Sequence, residues 1–216
     1  NSKEDTWGIY AYNKGVHFEE KDESFETTRG GSHGIGKIAS NAASDLHLMY
    51  FANCDEEQDQ HLGGTVQLIE HEYEGQCYRS SGYFAKVEQQ EGQSKFYPYK
   101  NQFHEVFQKK ERGLKIIIPF LRKEFDDENE IIQTICDNFF VSILQGNLEV
   151  HVNEHQLTKD TIHTFLENPR YYEQTLQDMK KVFTPLYFKT YLEQEPKLIS
   201  VNNGEVDFEF QLYFTY

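Results

Sequence analysis

Between Arg29 and Lys37 the chain reads RGGSHGIGK, with four glycines in nine residues, one lysine at the end, and helix-compatible residues immediately after. This composition can do one kind of chemistry well. Without side chains to block the approach, backbone N–H groups converge on anionic oxygens, and a helix starting there adds the positive end of its dipole. Gly31, Ser32, His33, Gly34, Ile35, Gly36 and Lys37 are therefore the candidate phosphate-binding residues. Lys37 adds a charge, and the His33 ring is either a phosphate donor or a solvent-facing loop residue.

Three nucleotide folds use such a loop. Gly31 to Lys37 matches G-x-x-x-x-G-K, but Ile38 stands where a P-loop places the Ser or Thr that holds Mg²⁺. Gly34-x-Gly36-x-x-Ala39 matches a dinucleotide fingerprint, with Asp55 a suitable distance onward. Both readings require a buried strand before the glycines, and ESFETTR is too polar for one. Antiparallel strands also follow, where a Rossmann repeat needs parallel ones.

Those strands come from the hydrophobic pattern. IGKIASNAASDL reads as a helix from about Lys37, LHLMYFAN (Leu46–Asn53) as a compact strand, and CDEEQDQHLGG as a turn. TVQLIEHEYE (Thr65–Glu74) alternates as a half-buried strand does, and GQCYRSSGYFAKVEQ continues the meander. GLKIIIPFL is a buried strand whose Pro119 confines it to an edge or an end. ENEIIQTICDNFFVSILQG is a helix ending at Gly146, with an Ile and Phe stripe for a core or a dimer surface. NLEVHVN is a strand, LTKDTIHTFLEN a helix capped at Thr158 or Asp160, and NPRYYEQTLQDMKKVFT a further helix. Two alternating strands flank Asn203-Gly204 at the end. The segment ahead of the glycines reads as one short strand, WGIYAY, and a loop.

A polar loop, a glycine turn, a helix and then antiparallel strands is an order that resembles the GHKL ATPases, the superfamily of gyrase B, MutL, histidine kinases and the heat-shock chaperone. GGSHGIGK is similar to their second glycine motif. The likeness is nearest to prokaryotic MORC-like members: GSHGIGK for the loop, ASDLHLMYFA for the helix end and first strand, GLKIIIPF for G-T-x-I-x-I, and DNFFVSILQGNLEVHVN for a later E-N-F-F segment. It runs from about Gly30 to Asn153. The resemblance implies an α/β fold: a GHKL sandwich with lid and glycine loop over residues 1–120, then an α+β transducer-like unit over 121–216. It also implies ATP as ligand, lid closure, homodimerisation, and restriction or phage-defence contexts with DNA as a partner of the whole protein.

A GHKL ATPase also needs an E-x-x-x-N-x-x-D helix, whose Glu activates water and whose Asn holds Mg²⁺, and a D-x-G-x-G whose Asp reads adenine. Neither lies before Arg29. Asn41 and Asp45 loosely mimic part of the first, four residues apart where the motif has three, but Lys37 occupies the acid's place, and Leu114 replaces the Thr of the later strand. The expectation is a fragment whose parent supplies the catalytic half, and which alone hydrolyses ATP poorly; no catalytic residue is assigned within it. The alternative is a non-catalytic interaction module on a degenerate GHKL scaffold.

Composition bounds the rest. The 216 residues carry a formal charge of −15, so this chain is no general polyanion binder and does not itself signal DNA. Three widely spaced cysteines and no apolar run of about 20 residues suggest a reducing, cytoplasmic setting without a membrane. His151 and His155 lie four apart without a third ligand, so no metal site is assigned. Ser44-Asp45 near His47 is a poor nucleophilic constellation.

Overall fold

A computed structural model describes residues 35–90, 92–101, 103–172, 179–202, 204 and 207–215, the side chains of 35–38 and 179–182 apart. The fold is mixed α/β with antiparallel sheets. Two compact units divide between Arg122 and Lys123.

The first unit begins with helix α1 (Ile35–Ala42), followed by β1 (Leu48–Cys54) and β2 (Gln60–Gln67). β2 starts earlier than the pattern predicts, and the expected turn shrinks to Asp55–Asp59. Gly63 and Gly64 are strand residues, paired with Phe51 and Tyr50. A Cβ on Gly64 would meet the Tyr50 ring at 2.8 Å and the Met49 carbonyl at 2.9 Å, so glycine here makes room for a ring rather than for a turn. The acidic turn is closed by Asp55, whose carboxylate accepts the N–H groups of Glu57 and Asp59. Lys100 and Asn101 hydrogen-bond Asp59 and hold its carboxyl below the usual range.

The expected strand over Thr65–Glu74 breaks after Gln67. β3 (His71–Tyr73) and β4 (Gln76–Tyr78) form a hairpin of their own, turned by Glu74 and Gly75 at positive φ. The chain then returns as β5 (Ser81–Phe84), leaves again as the hairpin β6 (Lys86–Gln90) and β7 (Gln93–Tyr97), and re-enters as β8 (Tyr99–Lys100). β5 faces Gly64–Gln67 and β8 faces His61 and Leu62, so the two are one edge strand interrupted opposite Gly63. β9 (Gly113–Ile117) pairs with β1 on the other side and ends before Pro119, giving the order β5-β2-β1-β9.

In the second unit Asp127 caps helix α2 (Glu128–Leu144), its carboxylate accepting the N–H groups of Asn129 and Glu130; Gly146 follows at φ 73°. The apolar stripe divides. Ile132, Cys136 and Ile143 are buried, whereas Ile131 and Phe139 face outward. β10 (Val150–Val152) and β11 (His155–Leu157) make a short ribbon, followed by α3 (Ile162–Leu166), α4 (Pro169–Tyr172) and α5 (Met179–Glu193).

Two expectations fail here. The residue capping α3 is Thr161, neither Thr158 nor Asp160, and its hydroxyl is occupied elsewhere, donating to the Gln156 carbonyl and accepting the Thr158 N–H. The last helix does not stop at Thr184 but runs through Pro185 to Glu193. Proline in a helix costs about 3 kcal/mol. Thr184, Phe188 and Thr190 are buried on either side of it, and that burial favours continuing. The chain closes with the ribbon β12 (Lys197–Asn202) and β13 (Asp207–Leu212). Asn202 faces Asp207 at the last described pair of the ribbon.

Candidate functional site

Of the candidate phosphate-binding residues, Gly31, Ser32, His33 and Gly34 lie outside the described residues. Ile35, Gly36 and Lys37 form the first turn of α1. The helix therefore begins inside the glycine run, two residues before the sequence pattern places it. Its leading N–H groups have no intrahelical acceptor, and its first turn contains no acidic residue. Such a turn presents donors and a positive dipole end to whatever occupies the loop.

The other end of α1 explains how that turn is held. Asn41, 2% exposed, donates to the Thr65 carbonyl at 2.8 Å and the His47 carbonyl at 3.0 Å, and accepts the Thr65 hydroxyl at 3.1 Å. One buried amide thus joins the helix, the loop after it and β2. One turn on, the fully buried Ser44 hydroxyl donates to the Pro119 carbonyl at 2.7 Å and accepts the Leu46 N–H. Backbone bonds from Asp45 to the Phe120 carbonyl and from Arg122 to the Ala43 carbonyl repeat this tie to the segment after β9. In the sequence Asn41 stands out only as part of an incomplete E-x-x-x-N-x-x-D mimic. The structure makes it the pin of the helix, and the signal was a lone amide in a run of small residues.

Ser44, Asp45 and His47, a poor nucleophilic constellation in the sequence, each have other partners. The Ser44 hydroxyl is consumed by backbone, Asp45 pairs with Arg122 at 3.5 Å, and the His47 ring contacts Arg122 at 3.4 Å. His47 sits at φ 51°, where the chain reverses from α1 into β1. An open depression of about 600 Å³ lies beside it, lined by His47, Gln67, Leu68, Ile69 and His71. Its lining residue His47 lies in the turn between α1 and β1.

The two faces of the sheet differ, and only one of them lies under α1. Met49 faces Thr65 on the side that α1 covers, and Phe51 and Ile116 continue that side. Leu114, opposite Asn53 on the same side, is 62% exposed, and Ile116 is 42% exposed, so the helix covers only part of the face. The opposite side is filled by rings. Tyr50 meets Phe84 and Phe107 edge-on at 5.4 and 5.1 Å, and Phe84 meets Tyr99 at 5.0 Å, over buried Ala52 and Leu62.

In the second unit, His151 and His155 occupy adjacent, non-facing positions of the ribbon, His151 opposite Gln156 and His155 opposite Val152. They project to opposite faces. His155 instead contacts Glu128 at 3.2 Å, and Asn153 donates to the same carboxylate, holding Glu128 below the usual carboxylate range. Among the described residues no group of three or more His, Cys, Asp or Glu is placed to hold a metal, and no helix is long and apolar enough to cross a membrane. Comparison with protein families, curated proteins and solved structures finds no match.

Proposed function

We propose that this chain carries the phosphate-holding part of a GHKL-type ATP site. Backbone N–H groups from Gly31 to Lys37 would hold the phosphates, with the Lys37 side chain adding charge. The segment ahead would close as a lid, and closure would promote homodimerisation. One observation carries the reading: α1 starts within the glycine run at Ile35 and is fixed at its far end by a buried amide on an antiparallel sheet. That arrangement supports an anion held by a rigid helix end, and an antiparallel sheet behind the helix fits a GHKL scaffold rather than a P-loop or Rossmann one. The general base, the Mg²⁺ ligand and the adenine-reading Asp belong to the full-length protein on this reading, so hydrolysis, DNA and any phage-defence role belong there too.

The test is titration of the chain with a fluorescent ATP analogue, with and without Mg²⁺. A Gly36→Val substitution is expected to weaken binding at least about tenfold, because a branched side chain blocks the close approach of phosphate to backbone. Unchanged affinity in that variant refutes the phosphate assignment. The second reading, a non-catalytic interaction module, draws on the outward-facing Leu114, Ile116, Ile131 and Phe139. It is favoured if neither this chain nor its full-length parent binds nucleotide.

A further inference from the structure

The open depression lined by His47, Gln67, Leu68, Ile69 and His71 has walls that the fold itself leaves unused. Leu68 and Ile69, consecutive residues where β2 ends, are 45% and 81% exposed, so much of their apolar surface faces water. His47 holds a φ of 51°, a conformation that Gly or Asn adopts at lower cost, and an imidazole kept at such a position points to a use for the ring. The polar edges can be assigned from their partners. Arg122 Nη2 lies 3.4 Å from His47 Nε2, and a guanidinium only donates, so in the neutral ring Nε2 carries the lone pair and Nδ1 the proton. His71 is the reverse case. Its Nδ1 lies 2.9 Å from the Ile69 carbonyl, which only accepts, so Nδ1 carries the proton and Nε2 the lone pair. Stacking against Tyr78, with ring centroids 5.5 Å apart, holds that ring in place. Gln67 accepts the Ser81 hydroxyl through its amide oxygen, and its NH₂ group is left to donate among the described residues.

The lining residues thus offer two donors, His47 Nδ1–H and the Gln67 amide, and one acceptor, His71 Nε2, beside aliphatic walls. Charge narrows the ligand. Around the lining residues the sequence carries Asp45, Glu70 and Glu72 against Arg79 and Arg122, in a chain with a net charge of −15, so an anion is repelled. A cation fares no better, because no carboxylate lines the depression to pair with it. We infer that this depression binds a neutral, planar cyclic amide or imide, the group that forms one edge of a pyrimidine base. The ligand carbonyl accepts from His47 Nδ1–H and from the Gln67 amide, its ring N–H donates to His71 Nε2, and its faces lie against Leu68 and Ile69. Only a ligand that both accepts and donates satisfies all of these groups, which separates it from a hydrocarbon.

The test titrates uracil into the isotope-labelled whole chain and follows backbone amides and imidazole nitrogens by two-dimensional NMR. Saturable shifts are expected at Leu68, Ile69 and the ring nitrogens of His47 and His71. Doubly N-methylated uracil keeps the ring and both carbonyls but cannot donate, and it is expected to bind about tenfold more weakly, since it leaves His71 Nε2 without a partner. His71→Phe keeps a ring to stack on Tyr78 but removes the acceptor, and a similar loss for uracil is expected. Ile69→Ser, at a position 81% exposed, leaves the fold intact and is expected to weaken uracil roughly threefold by removing apolar wall. The absence of any saturable shift up to the solubility limit of uracil overturns the inference. So does a methylated derivative that binds as well as uracil, or a pair of variants, His71→Phe and Ile69→Ser, that bind it as the wild type does. The probe carries no phosphate, so none of these outcomes bears on nucleotide binding at the glycine loop.

Discussion

Replacing Asn41 by Ala removes three hydrogen bonds from a site 2% exposed and leaves the Thr65 and His47 carbonyls short of a donor. At about 1 kcal/mol net for each bond, with an added penalty for buried groups left unpaired, the loss is about 2 to 4 kcal/mol. Thr65→Val removes only the 3.1 Å bond and costs about 1 kcal/mol. The two substitutions share that bond, so the double variant is less destabilised than the sum of the singles. Asn41→Asp sharpens the test. It keeps the shape but sets a carboxylate against two carbonyl oxygens, which raises the acid's folded pKa above its ordinary value of about 3.9. The penalty is complete above the folded pKa and is relieved as pH falls through it, because the protonated acid can donate to one carbonyl. Relative to the wild type, this variant therefore gains stability on acidification, the opposite of the usual trend. Urea unfolding followed by hydrogen exchange at the β2 amides measures all four proteins. The reasoning is refuted if Asn41→Ala costs no more than Thr65→Val, or if Asn41→Asp follows the wild-type pH profile.

Gly64→Ala is expected to destabilise the first unit by about 1 to 3 kcal/mol, since a methyl group there meets a ring and a backbone carbonyl under 3.0 Å; thermal melting checks this. Of the three thiols, only Cys77 is expected to react promptly with a thiol reagent in the folded protein. Cys54 and Cys136 are buried, and burial pushes the Cys136 thiol up to about 12, so mass spectrometry should count one label before denaturation and three after. The Asn153 hydrogen bond depresses the Glu128 pKa, so its contribution is present above the ordinary Glu range and is lost as pH falls through the lowered value. Asn153→Ala is expected to lower stability at neutral pH and to flatten this acid-side loss, read by circular dichroism. Asp127→Ala is expected to cost about 1 kcal/mol through the cap of α2, measured by urea denaturation.

Long periodic segments were readable from the sequence because their own residues decide them. α2, capped at Asp127 and followed by Gly146, and β9, ended by Pro119, occur where the pattern places them, but β9 is not the buried strand expected: it lies at the sheet edge with Leu114 and Ile116 exposed. What failed depended on distant partners. Gly63 and Gly64 look like a turn until Tyr50 is brought across the sheet, and Pro185 looks like a stop until Phe188 is buried beyond it. The β2 to β9 stretch was harder still, because one edge strand is split into β5 and β8 with a hairpin between them. At the candidate site the glycines advertise themselves, whereas Asn41 does not, since its importance lies in Thr65, a residue of another strand.

The split edge strand has a consequence for how this sheet tolerates change in length. Gln67 faces Ser81, and the Leu68 N–H donates to the Ser80 carbonyl, so residues 68–80 leave and return through a closed neck. Residues 85–98 do the same between Phe84 and Tyr99, both registered on β2. Both excursions are closed by pairing at the neck, the second also touching the ladder where the Phe96 ring meets Tyr83 at 5.6 Å. Related chains can therefore lengthen, shorten or exchange these two excursions while β1, β2 and the helix on them stay in register, and a reporter module spliced at either tip should be carried without disturbing the sheet.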